Sequence, residues 1–136
     1  GEILCMKYIY GGKEVFALPG GGADQDSPLQ EAIVNEWRDE LGVKLDAGAV
    51  IMIGEALATK RHPQTLHIIF EALEIRGTPK IRPDNTHSLD IAWVPIEKLE
   101  GTPLYPDVGR KLFDCLTTEP RRSLEFIGNC MERGFW

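Results

Sequence analysis

The stretch that decides the fold is LPGGGADQDSPLQEAIVNEWRDELGV, residues 18–43. It crowds three carboxylates, those of Glu36, Asp39 and Glu40, into about one turn of a segment with helical periodicity. Side chains three and four residues apart are neighbours on a helix, and each like-charged pair there costs about 0.2–0.5 kcal/mol. Two arrangements offset this cost. On a solvated acidic surface the repulsion is small, and around a bound divalent cation the crowded carboxylates contribute binding energy to the cation.

The residues around the carboxylates predict the bounds of the helix that carries them. Ser27 followed by Pro28 is typical of a helix start, with Ser27 as the N-cap and Gln30 completing a capping box. Gly42 is expected to end the helix, because a left-handed C-cap favours glycine. Apolar residues recur at helical spacing between these ends and predict a stripe that faces the core: Leu29, Ile33, Val34, Trp37 and Leu41.

The position of the acidic cluster favours the cation over the solvated surface. On charge pattern alone a solvated helix face is the simpler interpretation. The cluster lies at the C-terminal end of the helix, however, where the macrodipole disfavours acids. The glycines at residues 20–22 precede the helix and allow backbone to approach a ligand closely. Several hard oxygen ligands are what Mg²⁺ selects, so the pattern indicates a magnesium site.

The rest of the chain predicts one domain, spanning residues 1–136, in which helices flank a sheet. Gly11 and Gly12 separate two runs of strand-forming residues, which indicates a hairpin. Residues 119–136 give no clear prediction. The predicted elements are hairpin strands at 1–10 and 13–18, strands at 49–58, 65–75 and 89–95, and a second helix at 107–118.

Composition excludes several classes of function. The net charge is −6, with 15 Lys and Arg against 21 Asp and Glu, which argues against a nucleic-acid partner. Cys5, Cys115 and Cys130 are odd in number and lack metal-ligand spacing, so they are expected to pack as small hydrophobes in a reducing compartment. No apolar run approaches the ~20 residues of a membrane span, so no membrane partner and a cytoplasmic location are expected.

The quoted stretch resembles the signature of the Nudix hydrolase family, G-x5-E-x7-R-E-U-x-E-E-x-G-U, in which U is a bulky aliphatic residue. The box spans residues 21–43, and its spacing is kept without insertion. The preceding LPGG and the later AWVPIEKL also resemble family features. The resemblance implies an α/β fold, a Nudix-type α/β/α sandwich around a mixed β-sheet. The strictly matching positions are Gly21, Glu36, Glu40, Gly42 and Val43, and Asp39 fills the acidic pair with a side chain one methylene shorter than the usual glutamate.

Two departures from the box occur together. Ser27 stands where the family has its first glutamate, and Asn35 stands where it has its arginine. In the family these two side chains are thought to pair and to hold the loop against the helix. Both are replaced here by short polar groups, so neither leaves a buried unpaired charge. We interpret the pair as a rewired support in which the Ser27 cap takes the place of an ion pair.

The resemblance implies an enzyme, a Nudix-type pyrophosphohydrolase. Such enzymes split the pyrophosphate of a nucleoside diphosphate linked to another group, with Mg²⁺ or Mn²⁺ as cofactor, so the implied partner is a small nucleotide substrate. Glu36 and Glu40 are the implied catalytic residues and metal ligands, with Asp39 as a metal ligand directly or through water. The general base stays open among the box carboxylates and two acids of residues 80–90, Asp84 and Asp90. The family often supplies a glutamate from that loop, and this chain has none there.

The substrate-binding candidates are Gly21, Gly22 and Arg61. The two glycines come from the box loop. Arg61 belongs to a basic turn with Lys60 and His62, and this turn either contacts phosphate or is simply solvated. The specificity markers that distinguish family members do not occur downstream of the box, so the sequence does not predict which nucleoside diphosphate derivative is cleaved.

A second function stays open: a catalytically weak or inactive Nudix-fold module that binds a nucleotide or a protein. Ser27, Asn35 and the missing loop glutamate motivate it, whereas the retention of all three box acids favours the enzyme.

Three further expectations concern single features. His67 is expected to be a satisfied core or edge histidine and Trp93 a core residue. The first strand begins where the family usually has its second, so either an earlier strand is absent or a second subunit covers an exposed edge. A homodimer is the expectation.

Overall fold

The residues that the structure describes form two mixed sheets and two α-helices. The computed structural model describes residues 1–23, 25–120 and 124–133. The elements are β1 (Glu2–Tyr10), β2 (Lys13–Ala17), α1 (Leu29–Leu41), β3 (Lys44–Ala56), β4 (Thr65–Arg76), β5 (Asp90–Pro95), a 3₁₀ helix (Ile96–Gly101), β6 (Leu104–Tyr105), α2 (Gly109–Thr117) and β7 (Glu125–Asn129).

The predicted N-terminal hairpin is confirmed. β1 and β2 pair antiparallel, with Tyr10 opposite Lys13. Gly11 and Gly12 form the two-residue connection with φ of 58° and 77°. Two positive φ values in succession match the right-handed twist of the strands, and glycine adopts them without steric cost.

The strands divide between two sheets, in the orders β5-β1-β2-β6 and β4-β3-β7. Parallel pairing of β2 with β6, and of β3 with β7, makes both sheets mixed. β1 pairs with β5 on one side and β2 on the other, so the prediction that the first strand exposes an edge is wrong. The homodimer stays a prediction, without the support of that edge.

The two helices lie against opposite faces of β1. Alternate residues of a strand point to opposite faces, and Leu4 belongs to the apolar cluster that contains Trp37 and Leu41 of α1. Cys5 belongs to the cluster that contains Leu112 of α2. This helix–sheet–helix order confirms the predicted α/β class.

Burial confirms most of the predicted apolar stripe of α1. Trp37 and Leu41 are buried, whereas Leu29, the first residue of the helix, is 45% exposed. Trp93 is 46% exposed, so its prediction as a core residue is wrong: β5 is the edge strand of its sheet, and Trp93 has a paired strand, β1, on one side only. The three cysteines, Cys5, Cys115 and Cys130, are free and buried as predicted.

The predicted start of α1 is wrong. The N-cap is Pro28, in extended conformation, and no side chain caps the helix. The Gln30 side chain instead donates a hydrogen bond to the carbonyl of Ala47 at 2.5 Å, which fastens α1 to β3. A contact across 17 residues therefore replaces the predicted capping box and the proposed Ser27 support. The C-terminus is as predicted, with Gly42 at φ 70°.

In the described residues, the helices are too short or too polar to span a membrane.

Candidate functional site

The glycine loop packs directly against the first box glutamate. A Cβ built on Gly21 would lie 2.6 Å from Cδ of Glu36 and 2.8 Å from both of its carboxylate oxygens. The absence of a side chain at Gly21 therefore allows the carboxylate to lie against the loop backbone. A Cβ on Gly22 would meet no atom within 4 Å, so the space beside that residue is open to a ligand.

Glu40 lies one helical turn beyond Glu36 and is half-buried. Burial raises the pKa of its carboxyl group, because desolvation disfavours the charged form, and a hydrogen bond with the Thr86 side chain works in the opposite direction. No sequence pattern pointed to Thr86, because only the acids of residues 80–90 were candidates for the site.

Asp39 is held by its neighbour. Arg38 donates from Nε to Oδ1 of Asp39 at 2.9 Å and from Nη2 to Oδ2 at 3.3 Å. This hydrogen bonding holds the pKa of the Asp39 carboxyl below its usual range, and the charges of Arg38 and Arg82 act in the same direction. Arg38 also donates to Oδ1 of Asn35 at 2.9 Å. Asn35, at the position of the family's arginine, therefore accepts a hydrogen bond within α1.

The three predicted metal ligands share a helix but do not converge on one point. Within residues 1–23, 25–120 and 124–133, no three His, Cys, Asp or Glu side chains are grouped so as to hold a metal ion. Glu36 and Glu40 fit a divalent cation, because they offer carboxylate oxygens one turn apart beside a loop that approaches closely. The Asp39 carboxylate fits a cation only after it gives up its hydrogen bonds with Arg38. The assignment of all three as ligands stays a prediction.

Residues 80–90 close the C-terminal end of α1. The amide of Lys80 donates to the carbonyl of Leu41 at 3.0 Å, and that of Arg82 donates to the carbonyl of Glu40 at 2.9 Å. The Asn85 side chain donates to the carbonyl of Asp39 at 2.7 Å. The last carbonyls of a helix have no partner within it, so these bonds satisfy the end of α1.

The two loop acids differ in their surroundings. Asp84 is exposed. Asp90 begins β5, opposite Lys7 of β1, and its carboxylate accepts a hydrogen bond from the amide of Ile91 at 2.8 Å. Neither arrangement selects a general base, so that prediction stays open.

Arg61 lies in the connection between β3 and β4. Its amide and that of His62 donate to the Thr59 hydroxyl at 3.2 and 3.1 Å, which shapes the turn. The Arg61 side chain is exposed, and its role in phosphate binding stays a prediction.

A cavity of about 480 Å³ adjoins the glycine loop. It is bounded by residues 20–22, the start of α1, residues 65–70 of β4 and the Tyr105–Pro106 corner. Its volume is in the range of small-ligand sites, roughly 300–1,000 Å³. The predicted metal ligands therefore lie on a helix that borders a space large enough for a nucleoside.

His67 lies on the wall of this cavity and is half-buried, which confirms its prediction as a satisfied edge histidine. Its ring meets that of Tyr105 edge to face, with centroids 5.2 Å apart, and Nε2 is 3.4 Å from the Tyr105 hydroxyl. Burial lowers the pKa of His67, because the cation is disfavoured away from water.

Three solved structures resemble this fold. The solution structure of the E. coli ORF135 protein has a TM-score of 0.74 at 18% identity, covering 90% of this chain and 86% of that one. A MutT Nudix hydrolase from Burkholderia pseudomallei has a TM-score of 0.69 at 22% identity, covering 86% and 89%. An ADP-ribose pyrophosphatase from Streptococcus suis has a TM-score of 0.60 at 20% identity, covering 92% and 89%. At these identities the likeness establishes the fold.

The sequence also matches a protein family. The match is to the NUDIX domain and spans residues 1–114, which include the whole of the box. A comparison with curated protein sequences found no match. The chain belongs to the Nudix family, and the predicted enzyme class, a Nudix-type pyrophosphohydrolase, is that of the family.

Proposed function

We propose that this protein is a hydrolase, dependent on Mg²⁺ or Mn²⁺, that cleaves the pyrophosphate of a nucleoside diphosphate linked to another group. The observation that carries the proposal is the packing of the Glu36 carboxylate against the Gly21 backbone, at the border of the 480 Å³ cavity. Glu36 and Glu40 are the proposed catalytic residues and metal ligands. Asp39 is a further proposed ligand, and the cation would replace Arg38 as the partner of its carboxylate.

The charges of the chain explain why a cation is needed. The substrate is polyanionic, and Glu36, Asp39 and Glu40 present negative charge on one helix end, so the two repel each other without a cation. Bound Mg²⁺ or Mn²⁺ would neutralise that charge and lower the pKa of a water molecule. Hydrolysis then adds the water oxygen to one phosphorus while the bridging P–O bond breaks, and a base not yet assigned takes the proton.

The protein contributes binding and orientation to this reaction. Gly21 and Gly22 allow the pyrophosphate to approach the backbone, since the space beside Gly22 is open. The mainly apolar cavity takes the nucleoside, whose ring meets the wall formed by β4 and Tyr105. A basic residue near the start of β4, Arg61, is the proposed additional phosphate contact.

The test is a panel of substrates. Purified protein is incubated with ADP-ribose, nucleoside triphosphates and other nucleoside diphosphate derivatives, in Mg²⁺, in Mn²⁺ and in a chelator, and the nucleoside monophosphate released is measured by chromatography. ADP-ribose is included because one structural neighbour is an ADP-ribose pyrophosphatase. Metal-dependent release that is lost in Glu40→Gln supports the proposal. No metal-dependent turnover of any compound at high protein concentration refutes it.

The alternative, a Nudix-fold binding module, has one specific observation in its favour. One of the three box acids, Asp39, is engaged by Arg38 through two hydrogen bonds. Calorimetric titration with the same panel separates the two functions. Tight binding with the nucleotide recovered intact afterward favours the binding module, whereas recovery of cleaved nucleotide favours the enzyme.

A further inference from the structure

Polar side chains are sparse in the cavity beside the glycine loop. Among the described residues of its lining, Thr65, His67 and Tyr105 have polar side chains, and the others are apolar or glycine. The Thr65 hydroxyl donates to the carbonyl of Pro63 at 3.2 Å, so its proton is used within the connection between β3 and β4. His67 and Tyr105 are therefore the main polar side chains that the described wall offers to a ligand.

His67 and Tyr105 meet at a corner that is held from two sheets. Tyr105 ends β6, and its carbonyl accepts a hydrogen bond at 2.9 Å from the amide of Leu18, which directly precedes the glycine loop by sequence. His67 lies in β4, opposite Gly54 of β3. Backbone pairing thus fixes each residue in its own sheet, and the two rings meet edge to face with centroids 5.2 Å apart.

The contact between the two side chains leaves hydrogen-bonding capacity for a ligand. Nε2 of His67 lies 3.4 Å from the Tyr105 hydroxyl, a long contact that does not saturate either group. A phenolic hydroxyl both donates and accepts, and a neutral imidazole has one donor and one acceptor nitrogen. Burial lowers the pKa of His67 and so favours the neutral ring. The corner can therefore both donate to a ligand and accept from it.

The charge of the cavity wall indicates which part of a nucleotide it contacts. Among the described lining residues, none has an ionised side chain when His67 is neutral. A pyrophosphate requires cations around it, so its place is beside the acidic end of α1 and the uncharged part of the nucleotide enters the cavity. A nucleobase has apolar faces that suit this wall and one polar edge that suits the corner. A sugar has hydroxyls on several sides, which an apolar wall would leave unpaired.

We propose that His67 and Tyr105 are specificity-determining residues that hydrogen-bond the polar edge of the nucleobase, and this rests on the proposed function because it takes a nucleotide as the ligand. Nucleobases differ in the order of donors and acceptors along that edge. A matched base forms bonds with the corner, whereas a mismatched base leaves polar groups unpaired in a partly buried place, which is costly. Sites that hydrogen-bond a substrate group discriminate strongly against analogues that lack it.

The test is a titration of the purified protein, without added metal, with adenosine, guanosine, cytidine and uridine, followed by NMR. Nucleosides have no phosphate, so they probe the cavity independently of the cation. One nucleoside is expected to bind more tightly than the others. Tyr105→Phe keeps the ring and removes the hydroxyl, so affinity for the preferred nucleoside is expected to fall about 10-fold while the others stay within about twofold.

His67→Leu is the second substitution, because it removes both ring nitrogens. It is expected to cause a similar selective loss, and it decides the question by itself if Tyr105→Phe fails to fold. The double substitution is expected to lose less affinity than the two single losses combined, since both groups contact one edge. In turnover, Tyr105→Phe is expected to raise KM for the preferred base and to leave kcat unchanged, because the base contact is the same before and during the reaction.

Tyr10→Phe is the matched control. Tyr10 ends β1, is 50% exposed and is not among the described residues of the cavity lining. Its substitution removes the same hydroxyl from another place, so the affinities for all the nucleosides are expected to match those of wild type.

Nucleoside binding and hydrolysis separate failure of this proposal from failure of the proposed function. If nucleotides are cleaved but Tyr105→Phe and His67→Leu keep the wild-type preference, the corner does not select the base and the hydrolase stands. Equal weakening of all the nucleosides also overturns the proposal, because the change then concerns only the shape of the cavity, and so does the absence of any nucleoside binding at millimolar concentration. If nothing is cleaved while a preference is seen and both variants lose it, the hydrolase is wrong and the assignment of the base site stands.

Discussion

Replacing Gly21 by alanine should damage the site without damaging the fold. The new Cβ would lie 2.6 Å from Cδ of Glu36. Carbon atoms in contact are normally about 3.5–4.0 Å apart, so the Glu36 carboxylate has to retreat by about 1 Å. A displacement of about 1 Å in a reacting constellation costs on the order of 10²-fold in rate. We therefore expect turnover to fall about 10²-fold and Mn²⁺ affinity to fall with it.

The stability of Gly21→Ala should change little, because two effects oppose each other. Gly21 is outside the left-handed region, so alanine is not strained there and gains about 0.4–1 kcal/mol by restricting the unfolded chain. Moving the Glu36 side chain off its preferred rotamer costs about 0.5–1.5 kcal/mol. Urea unfolding without metal should show a free energy of unfolding within about 1 kcal/mol of wild type.

Gly101→Ala is the control for this substitution. A Cβ at Gly101 meets no atom within 4 Å, and the residue also lies outside the left-handed region. It should match wild type in turnover and Mn²⁺ affinity. If Gly21→Ala behaves like Gly101→Ala in both assays, the contact between the glycine loop and Glu36 is irrelevant to function and the reasoning is refuted.

Three other substitutions test the charges of the site and its surroundings. Glu40→Gln relieves repulsion on α1, so the free energy of unfolding without metal should stay unchanged or rise by about 0.2–0.5 kcal/mol. The rise in melting temperature that Mg²⁺ causes in the wild type should be lost in the variant. An equal rise in both proteins would show that the acidic helix face is merely solvated. Arg38→Gln removes an exposed ion pair that water and salt largely screen, so the free energy of unfolding should change little. Mn²⁺ affinity should increase because Asp39 is released, and unchanged affinity would exclude Asp39 as a ligand. The pKa of His67 in the folded state lies below its ordinary value of 6.5. The unfolded state therefore binds a proton at His67 more readily than the folded state does, and the free energy of unfolding falls as the pH drops through and below 6.5. His67→Gln should lose less stability in urea unfolding over that range, and an unaltered pH dependence would contradict the assignment.

Local features determined much of what could be predicted. The turn at Gly11 and Gly12 and the helix end at Gly42 require positive φ, which glycine adopts without a steric penalty, so these positions are marked in the sequence itself. The spacing of Glu36 and Glu40 puts both on one side of any helix that forms there. The family signature depends on the same local spacing, which is why fold class and family followed from the sequence.

The contacts that organise the site join residues far apart in the chain, and only the tertiary structure decided them. Gln30 has the local context of a capping box, yet the N-cap is Pro28, which has no N–H to offer, and the Gln30 amide donates to a carbonyl of β3, 17 residues away. β7 pairs in parallel with β3 although no local pattern predicts it, because parallel pairing depends on the distant strand. The loop after β4 returns to the end of α1, where the amides of Lys80 and Arg82 donate to the carbonyls of Leu41 and Glu40. Spacing along the chain determines which side chains share a helix, but the hydrogen-bond partner of each depends on which unsatisfied groups folding brings next to it.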